Sequence, residues 1–572
     1  MQQTGWGKRF AYALVASIFL VFTVFVVAPL EIVAANSADL IFGVSAVAPP
    51  LCIAALAAAV VLALVLSPFK GKAHAIAIAV VVALGTAAWL QALLLNKGLP
   101  LADGEPIDWS NYDKMMLVSS TFWVCVIGIA VALALRFPKR MRVLACAVAI
   151  AVTFVQAVGL ASAASSSDKA ISGDSYIYAT ERGLFDVSSK SNVIMFIIDA
   201  SDYYVVNDAL AIEPSLFDKM SGFTWFEDTT GSMIPTRYAL PALLTGVHPN
   251  DPDEDFPDFV YGMYDDGSFM QDLNDTGYGV GVYSPNATWT YQLMERFADW
   301  TINYRPIDDV TSEQMDQLGT VAVLARCGMY RDLPWPLKRF VWYYTDELNS
   351  RMVKTGSEFS GDVPFLIDDP LFASKLREHG LSLNEETTGS FRLIHLLGSH
   401  YPYVMDRNGN DVRPDWTSIE EQTIGTFTVL GEYFDELRRL GVYDEATIIV
   451  TADHGIWNPI SEYLTVPPNP VLFVKPRQSA EEASKPLVRS EMPASHWDLQ
   501  ATILEAAGAP DEVVALHGTT VWDAPKGRER LFYMTNALEW EGDIVEYRID
   551  GDSRDISTWH PTGRRWPEWV EK

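Results

Sequence analysis

The chain has 572 residues, of which 49% are hydrophobic and 20% charged, and its formal net charge is −30. This length excludes a single ordinary domain, and the acidic balance excludes nucleic acid or an anionic membrane surface as a partner held by bulk charge. Residues 1–165 contain ten Lys and Arg against six Asp and Glu, a net of +4, which leaves −34 for residues 166–572. The sequence therefore predicts two parts with different surroundings.

The first part contains five apolar runs, each long enough for a membrane-spanning helix, which needs about 20 residues. Basic residues stand in alternate connections, at Lys8 and Arg9, at Lys70 and Lys72, and within 136–142. The positive-inside rule then predicts a cytoplasmic N-terminus and an extracytoplasmic chain after the fifth run. A cleaved signal peptide is the alternative for the first run, whose apolar core exceeds the roughly 7–15 residues usual for such peptides. The predicted spans are Phe10–Val33, Leu40–Leu66, Ala75–Leu95, Leu117–Leu135 and Val143–Ala164.

Composition predicts three parts in all. Residues 1–165 form the transmembrane domain, and residues 166–190, rich in Ser and Asp without an apolar period, form a linker. Residues 191–572 form the extracytoplasmic domain, with 510–572 as a peripheral C-terminal part. Cys327 is the one cysteine of this domain, so an internal disulfide is excluded and a large core must hold it together.

The soluble part alternates strand patterns with helix patterns. Asn192–Ile198 and Thr447–Thr451 are continuous apolar runs, which are typical of strands buried on both faces of a parallel sheet. Helical periodicity runs over 418–440 and 498–507, and a glycine follows each. This alternation predicts an α/β domain with a mainly parallel central sheet.

Polar residues follow both buried strands. Asp199 comes directly after the first strand, and Asp453-His454-Gly455 follows the second. Ligands of open α/β sheets collect at the carboxyl ends of strands, and carboxylates with an imidazole are metal ligands. For Asp199, a helix N-cap is the alternative interpretation.

A third strand pattern begins at Phe391, and two histidines belong to this stretch, one within the pattern and one in the loop after it. His395 lies inside the apolar run, which favours a packed residue or one that supports the site from behind. His400 lies in a loop with Gly398 and Pro402, which favours exposure to the site.

The stretch from Thr236 to Gly246 predicts a short buried helix after a loop that ends in Pro235. Thr236 would then stand at a helix N-terminus, where backbone N–H groups and the helix dipole favour a phosphate or sulfate. The alternative is that Thr236 only caps the helix, because Thr is a common N-cap residue.

The order of these elements resembles the alkaline phosphatase and sulfatase superfamily over most of residues 191–510. In sulfatases the nucleophile begins a Cys-x-Pro-Ser-Arg motif that continues into Leu-Leu-Thr-Gly. Counting back from Leu243-Leu-Thr-Gly246 places the nucleophile on Thr236. The missing Cys, and Leu240 in place of the motif's Arg, argue against a formylglycine sulfatase.

A threonine nucleophile behind five membrane helices resembles the membrane phosphotransferases of this superfamily, the lipoteichoic acid synthase and phosphoethanolamine transferase groups. Ser399-His400-Tyr-Pro-Tyr403 is similar to the phosphoglycerol branch, whereas the segment 283–291 lacks the His and Arg of that branch. The resemblance implies one divalent metal ion, Mn²⁺ or Zn²⁺, and His400 as a catalytic group beside the nucleophile. The implied metal ligands are Asp199, Thr236, Asp453 and His454. The implied substrate-binding residues are His400, His395, Trp289 and Arg237.

The resemblance implies a multi-pass enzyme of the inner (cytoplasmic) membrane whose catalytic domain is extracytoplasmic. It would move a phosphoglycerol or phosphoethanolamine headgroup from a phospholipid donor to an envelope glycan or lipid acceptor, through a phosphorylated Thr236. One alternative is a membrane-tethered phosphodiesterase, phosphatase or sulfatase-like hydrolase, in which water takes the headgroup. Another is a non-catalytic envelope assembly protein, which the retention of all four ligands disfavours. Nucleic acid is not an expected partner.

Overall fold

The structure is a computed structural model. It describes the chain apart from residues 1–4, 37–39, 101–106, 172–176, 250–258, 261, 265–268, 285–297, 307–313, 344–346, 355–364, 366, 414, 457–463, 536–541 and 568–572.

Helices dominate the first part of the described chain and alternate with strands in the rest. The helices used below are α1 (Trp6–Ala35), α2 (Val44–Leu66), α3 (Gly71–Leu94), α4 (Asp113–Arg136), α5 (Pro138–Ile171), α6 (Tyr203–Ile212), α7 (Thr236–Thr245), α8 (Phe269–Asp275), α9 (Gln317–Asp332), α10 (Trp335–Lys338), α11 (Glu347–Met352), α12 (Asp369–His379), α13 (Ile419–Leu440), α14 (Ala480–Ala483), α15 (Leu499–Ala506) and α16 (Asp511–Leu516).

The strands are mostly short outside the central sheet. They are β1 (Ile177–Ala179), β2 (Asp186–Ser188), β3 (Asn192–Ile198), β4 (Thr224–Phe226), β5 (Thr229–Thr230), β6 (Met233–Ile234), β7 (Tyr278–Tyr283), β8 (Tyr304–Pro306), β9 (Ser382–Asn384), β10 (Gly389–Leu396), β11 (Ala446–Thr451), β12 (Leu472–Lys475), β13 (Val488–Ser490), β14 (Ala494–Ser495), β15 (Arg530–Thr535), β16 (Asp543–Ile549) and β17 (Trp559–Pro567).

The chain divides into two compact units, each made of two chain segments. The first unit comprises Met1–Ser175 and Val310–Glu358, and the second comprises Tyr176–Asp309 and Phe359–Lys572. The described residues within 310–358, which the sequence assigns to the soluble domain, thus belong to the same unit as the N-terminal helices. The two-part composition does not predict this excursion of the chain.

The first unit contains five helices that are long and apolar enough to cross a membrane, counted over the described residues. Each overlaps one of the five predicted spans, so the prediction of a five-helix membrane part is confirmed. Helix α9 packs closely on a π-helical turn of α1, Thr23–Val27. A Cβ atom at Gly328 of α9 would lie 2.5 Å from the carbonyl oxygen of Val24, so the two backbones touch where only glycine leaves room.

The second unit is built on a central sheet that has, in the described residues, the strand order β13-β4-β12-β11-β3-β10-β7. Strands β7, β10, β3 and β11 run parallel, whereas β12 is antiparallel to both of its neighbours. Every residue of β3, β10 and β11 is buried, as expected for strands covered on both faces. The predicted α/β fold with a mainly parallel sheet is confirmed.

The helix patterns also lie where the sequence places them. Helix α13 begins after Ser418, whose hydroxyl accepts a hydrogen bond from the backbone of Glu421, and ends at Gly441 in the left-handed conformation. Its buried face packs on α6 and contributes Tyr433 and Phe434 to the main core.

Two predicted boundaries differ from the structure. Strands β1 and β2 lie within residues 166–190, the predicted linker, and pair with β8 and β9. Backbone pairing makes β1 and β2 part of the second unit, whereas residues 166–171 belong to α5 of the first unit. Its polar composition conceals the two strands because each has only three residues.

The C-terminal part, predicted to be peripheral, contributes three of the four strands of a second sheet, ordered β17-β16-β15-β6 among the described residues. Strand β15 pairs in parallel with β6, which ends two residues before Thr236. Tyr238, Tyr533 and Trp566 belong to one buried cluster beside this sheet. The C-terminal strands therefore support the segment that leads into α7.

Candidate functional site

Two buried carboxylates lie side by side at the carboxyl edge of the central sheet. Asp199 follows β3 and Asp453 follows β11, and these two strands are parallel neighbours in register. Their exposed fractions are 3% and 0%. Ala200, between them, has a φ of 54° and is the one non-glycine residue with positive φ in the described chain. Its N–H donates to Asp453 Oδ1 at 3.3 Å, so a strained backbone conformation joins the two strand ends.

The carboxylates have more acceptor capacity than the protein satisfies. Asp199 Oδ1 and Asp453 Oδ2 are buried without a hydrogen-bond partner. Burial raises the pKa of Asp199, but the imidazolium charge of His400, the contact with His395 and the charge of His454 outweigh it and hold the pKa well below its ordinary value. Unpartnered buried anionic oxygens are costly unless a cation compensates them.

His454 turns one ring nitrogen toward these oxygens. Its Nδ1–H donates to the carbonyl oxygen of Gly455 at 2.8 Å, so the neutral ring has its lone pair on Nε2. Nε2 lies 3.4 Å from Asp453 Oδ2, 3.9 Å from Asp199 Oδ1 and 3.1 Å from Thr236 Oγ1. The imidazole therefore faces the two carboxylates and the threonine hydroxyl together.

His395 also joins the cluster, although the sequence favours a packed or supporting role for it. Its Nε2 lies 3.6 Å from Asp199 Oδ2, and its Nδ1 lies 2.7 Å from the hydroxyl of Ser284. One ligand atom each from Asp199, His395 and Asp453 lie within 4.8 Å of one another. Burial lowers the pKa of His395, but its contact with Asp199 outweighs this and raises it.

This donor set fits a divalent cation. Two carboxylates with unpartnered oxygens, one or two imidazoles and a hydroxyl are oxygen and nitrogen ligands that suit Mn²⁺ or Zn²⁺. Ser284 and Gly455 hold the outer ring nitrogens, as partners of ligating histidines usually do. The ligands in reach are Asp199, Asp453, His454, Thr236 and His395.

Thr236 is the first residue of α7 and does not cap it. The N-cap position is occupied by Pro235, and no side chain makes a capping hydrogen bond there. The hydroxyl instead lies next to His454, so the capping alternative is wrong. The hydroxyl thus stands at the N-terminus of α7, where the positive end of the helix dipole favours an anion. Gly246 ends the helix with a φ of 73°, as predicted.

Arg237 follows Thr236 and is half-buried, with its guanidinium 5.1 Å from the ring centroid of Tyr238. Trp289, the other predicted substrate-binding residue outside the strands, lies among the residues that the structure does not describe. The structure thus brings together Asp199, Thr236, His395, Asp453 and His454, with Arg237 adjacent in the chain.

The loop after β10 passes very close to Asp199. Its turn at Gly398 has a φ of 59°, and a Cβ atom there would lie 2.7 Å from the carbonyl carbon of Ile198. The N–H of Ser399 donates to the carbonyl oxygen of Asp199 at 2.9 Å. Glycine is required at this position, and the close approach brings the half-buried His400 near enough for its charge to act on Asp199.

Gln422 on α13 holds the same loop. Its side chain accepts from the backbone N–H groups of Val404 (2.7 Å) and Met405 (3.2 Å). It donates to the carbonyl oxygens of Gly398 and His400, both at 3.0 Å. Gln422 is fully buried, and its one side chain pairs with four backbone groups of the loop.

Ser284, Gln422 and Asp369 are supporting residues that the sequence does not predict. Asp369 accepts from the N–H groups of Leu397 and Gly398 at 2.6 and 2.9 Å, and burial raises its pKa to about 6. A detectable signal exists for Ser284, which directly follows a strand that lies next to β10. The other two lie on helices, where one polar residue among many carries no distinctive pattern.

No protein-family model matches the chain, and no curated protein matches it. Solved structures that match include a protein in the alkaline phosphatase superfamily from Vibrio parahaemolyticus, with 12% identity, coverage of 69% of this chain and 85% of that one, and a TM-score of 0.37. A phosphonate monoester hydrolase from Silicibacter pomeroyi matches with 15% identity, coverage of 65% and 88%, and a TM-score of 0.36. The lipoteichoic acid synthase LtaP from Listeria monocytogenes matches with 12% identity, coverage of 65% and 84%, and a TM-score of 0.33.

The solved structures that match this chain therefore include a protein of the superfamily that its motifs resemble. Identities of 12–15% and TM-scores below 0.5 transfer no activity and no site residue to it. The matches include a hydrolase as well as a synthase, so they do not distinguish hydrolysis from transfer.

Proposed function

We propose that this protein is a membrane-anchored, metal-dependent phosphotransferase. It moves a phosphoglycerol or phosphoethanolamine headgroup from a phospholipid to a glycan or lipid of the cell envelope. Its five spans lie in the cytoplasmic membrane, and the second unit is extracytoplasmic. The motif resemblance and the alternation of basic connections support this assignment.

One observation carries the proposal: the Thr236 hydroxyl lies 3.1 Å from His454 Nε2, at the start of α7 and beside two unpaired carboxylate oxygens. A nucleophile, a proton acceptor or ligand, and an anion-binding helix end converge there. A structural cluster would gain nothing from unpaired carboxylate oxygens, which disfavours a non-catalytic assembly role.

Asp199, Asp453, His454 and Thr236 would hold the cation, with His395 in reach. When bound, a divalent ion neutralises negative charge on phosphoryl oxygens and favours the alkoxide form of a hydroxyl ligand. The residues of the chain supply orientation. The dipole at the N-terminus of α7 favours the anionic phosphoryl group beside Thr236, and Gln422 holds the loop that carries His400.

The reaction has two balanced steps. Thr236 Oγ1 gives up its proton and forms a bond to phosphorus while the bond from phosphorus to the diacylglycerol oxygen breaks, and that oxygen takes up a proton as diacylglycerol leaves. An acceptor hydroxyl then gives up its proton and forms a bond to the same phosphorus while the bond from phosphorus to Thr236 Oγ1 breaks, and Thr236 Oγ1 takes up a proton. We assign proton transfer in this reaction to His400.

The test follows a headgroup label in phospholipid incubated with the full chain in vesicles. We expect label on Thr236 and then on added acceptor. Thr236→Ala should lower headgroup release at least about 1,000-fold, because the variant lacks the hydroxyl that forms the covalent bond to phosphorus.

Thr245→Ala is the matched control, since Thr245 lies on the same helix and its hydroxyl makes local backbone contacts: it donates to the carbonyl oxygen of Pro241 at 2.8 Å and accepts from the N–H of Val247 at 3.3 Å. It should keep transfer. Free headgroup that does not respond to added acceptor would instead identify a hydrolase, and full activity in Thr236→Ala would refute both assignments.

A further inference from the structure

Residues 317–343 differ in charge from the rest of the chain after residue 165. They contain four Arg and Lys against one Asp, a net of +3, in a part of the chain that carries −34. They also contain five aromatic residues, and α9 is largely apolar. Basic and aromatic residues together are the composition of a membrane interface.

Hydrogen bonds fix this stretch to one end of the five-helix bundle. The backbone N–H of Trp335 donates to Ser119 Oγ at 3.2 Å, and its indole N–H donates to the carbonyl oxygen of Leu95 at 2.7 Å. Its ring stacks on Tyr112 with centroids 5.2 Å apart. Arg331 pairs with Glu31 of α1. Because these partners lie at one end of α1, α3 and α4, the stretch lies where the spans end.

The short helix α10 and the residues after it have an inner and an outer side. Lys338 is fully buried and donates to the carbonyl oxygens of Tyr330 and Arg331. Leu337 and Phe340 are 44% and 70% exposed. Arg339 is exposed as well, with its guanidinium 4.7 Å from the centroid of the Phe340 ring. The outer side therefore presents two large apolar side chains and a cation.

We propose that residues 335–343, the interfacial segment, bind the headgroup layer of the bilayer that the five helices cross, with a preference for anionic phospholipid. Exposed Leu and Phe beside a cation match the boundary between acyl chains and headgroups, and the cation matches anionic phosphate. Direct attachment to the span ends puts this face at interface depth, which favours lipid over a soluble partner. The proposal requires only that the five helices span a membrane, and it stands apart from the proposed reaction.

The experiment measures the depth of Phe340. The four cysteines are replaced by alanine in the full chain, Phe340→Cys is labelled with a fluorophore, and the protein is reconstituted in vesicles with nitroxide lipids. We expect quenching by a headgroup nitroxide to exceed quenching by a nitroxide at the acyl-chain end by at least about twofold, as for an interfacial side chain. Phe154→Cys, an equally exposed residue within α5, is the control and should show the reverse order.

Charge preference is tested by adding phosphatidylglycerol to phosphatidylcholine vesicles. Headgroup quenching should rise with the anionic lipid, and Arg339→Gln should remove that rise. A probe at 340 that aqueous iodide quenches and neither nitroxide quenches overturns the proposal, and equal quenching in both vesicle types overturns the anionic preference. A photoreactive phenylalanine analogue at 340, in the chain with its own cysteines, provides a second measurement. Lipid adducts support the segment's contact with the bilayer, whereas their absence after full illumination contradicts it.

Discussion

The two units each bury a polar cluster, and the two clusters are built differently. In the first unit, Gln91 accepts from Ser119 Oγ at 2.7 Å and from the Trp123 indole N–H at 3.3 Å, and donates to Asn96 Oδ1 at 3.0 Å. Every member is uncharged. In the second unit, Asp199 and Asp453 each keep a buried oxygen without a partner, and the surrounding histidines do not satisfy it.

The difference separates a cluster that holds helices together from one that suits a ligand. Paired neutral groups in an apolar surrounding stabilise one arrangement, whereas unpaired acceptors of one sign need a cation from outside. Changes in the two clusters should therefore have different consequences for folding and for metal binding.

The largest effect is expected on metal affinity. Asp453→Asn with His454→Ala should weaken binding of Mn²⁺ or Zn²⁺ more than about 100-fold. Losing metal ligands costs more affinity than losing the hydrogen-bond partners that orient the ligands. With metal removed, this double variant should melt no earlier than the wild type, since one unpaired buried carboxylate is gone. Calorimetric titration and thermal melting in chelator measure both quantities.

The matched control is Asp550→Asn with His560→Ala, a second Asp–His pair with Nε2 and Oδ2 3.3 Å apart, half exposed on the C-terminal sheet. Its metal affinity should equal that of the wild type. Unchanged metal content in a folded site variant would show that the cation, if any, is held elsewhere.

The next largest effect is expected for Gln422, whose hydrogen bonds are fully paired and lie beside the unpaired carboxylates. Gln422→Leu should lower the free energy of unfolding by about 2–4 kcal/mol, because four buried backbone groups lose their partner. Amide exchange in 398–405 should accelerate. Gln500→Leu is the control, since Gln500 is equally buried and donates to the carbonyl oxygens of Ala242 and Leu243. If both variants accelerate amide exchange in residues 398–405 equally, Gln422 does not stabilise this loop specifically.

A pH dependence follows from His496, which lies fully buried with its Nε2 3.1 Å from Thr451 Oγ1. Burial, with a smaller contribution from the charge of His454, lowers the pKa of His496 from 6.5 to about 3. The folded state then binds this proton less tightly than the unfolded state does. Its contribution to stability is fully present above pH 6.5 and is lost as the pH falls toward about 3.

At about pH 5 the loss from His496 should be about 2 kcal/mol of unfolding free energy. His496→Gln should remove this part of the slope when denaturant unfolding is compared at about pH 7.5 and pH 5. Parallel pH profiles for the wild type and the variant would contradict the assignment.

The smallest effect is expected in the neutral cluster. Gln91→Leu should lower the stability of the detergent-solubilised protein by about 1–2 kcal/mol, in line with polar contacts between membrane helices. Gln156→Leu should cost less, about 0.6 kcal/mol, because it removes a single contact, in which the Gln156 amide oxygen accepts from Thr23 Oγ1 at 3.1 Å. Neither change should alter metal affinity. Loss of bound metal in Gln91→Leu would break the distinction between the two clusters.

Much of the fold and the carboxylate pair could be predicted from the sequence because local patterns encode them. An unbroken apolar run identifies β3, and Ser418 and Gly441 bound α13. Asp199 and Asp453 are predictable because a parallel sheet places the ends of neighbouring strands together.

The remaining features depend on pairings between distant residues. His395 enters the cluster because β10 pairs with β3 and because Ser284, 111 positions earlier, meets its ring. Residues 317–343 have the apolar pattern of any buried helix, and that pattern does not say which unit buries it. The role of the C-terminal strands depends on the pairing of β15 with β6, which no local pattern marks.

The pairing of β15 with β6 also affects the order in which the candidate site is assembled. Tyr533 lies beside Met233, 300 positions earlier, so the strand that leads into Thr236 is made long before its partner. During synthesis from the N-terminus, the chain already contains Asp199, Thr236, Asp453 and His454 while the edge of β6 that pairs with β15 is still unpaired. Thr236 is therefore held in place among the last events of synthesis, and a nascent chain carries all four residues of the candidate site before the site is finished.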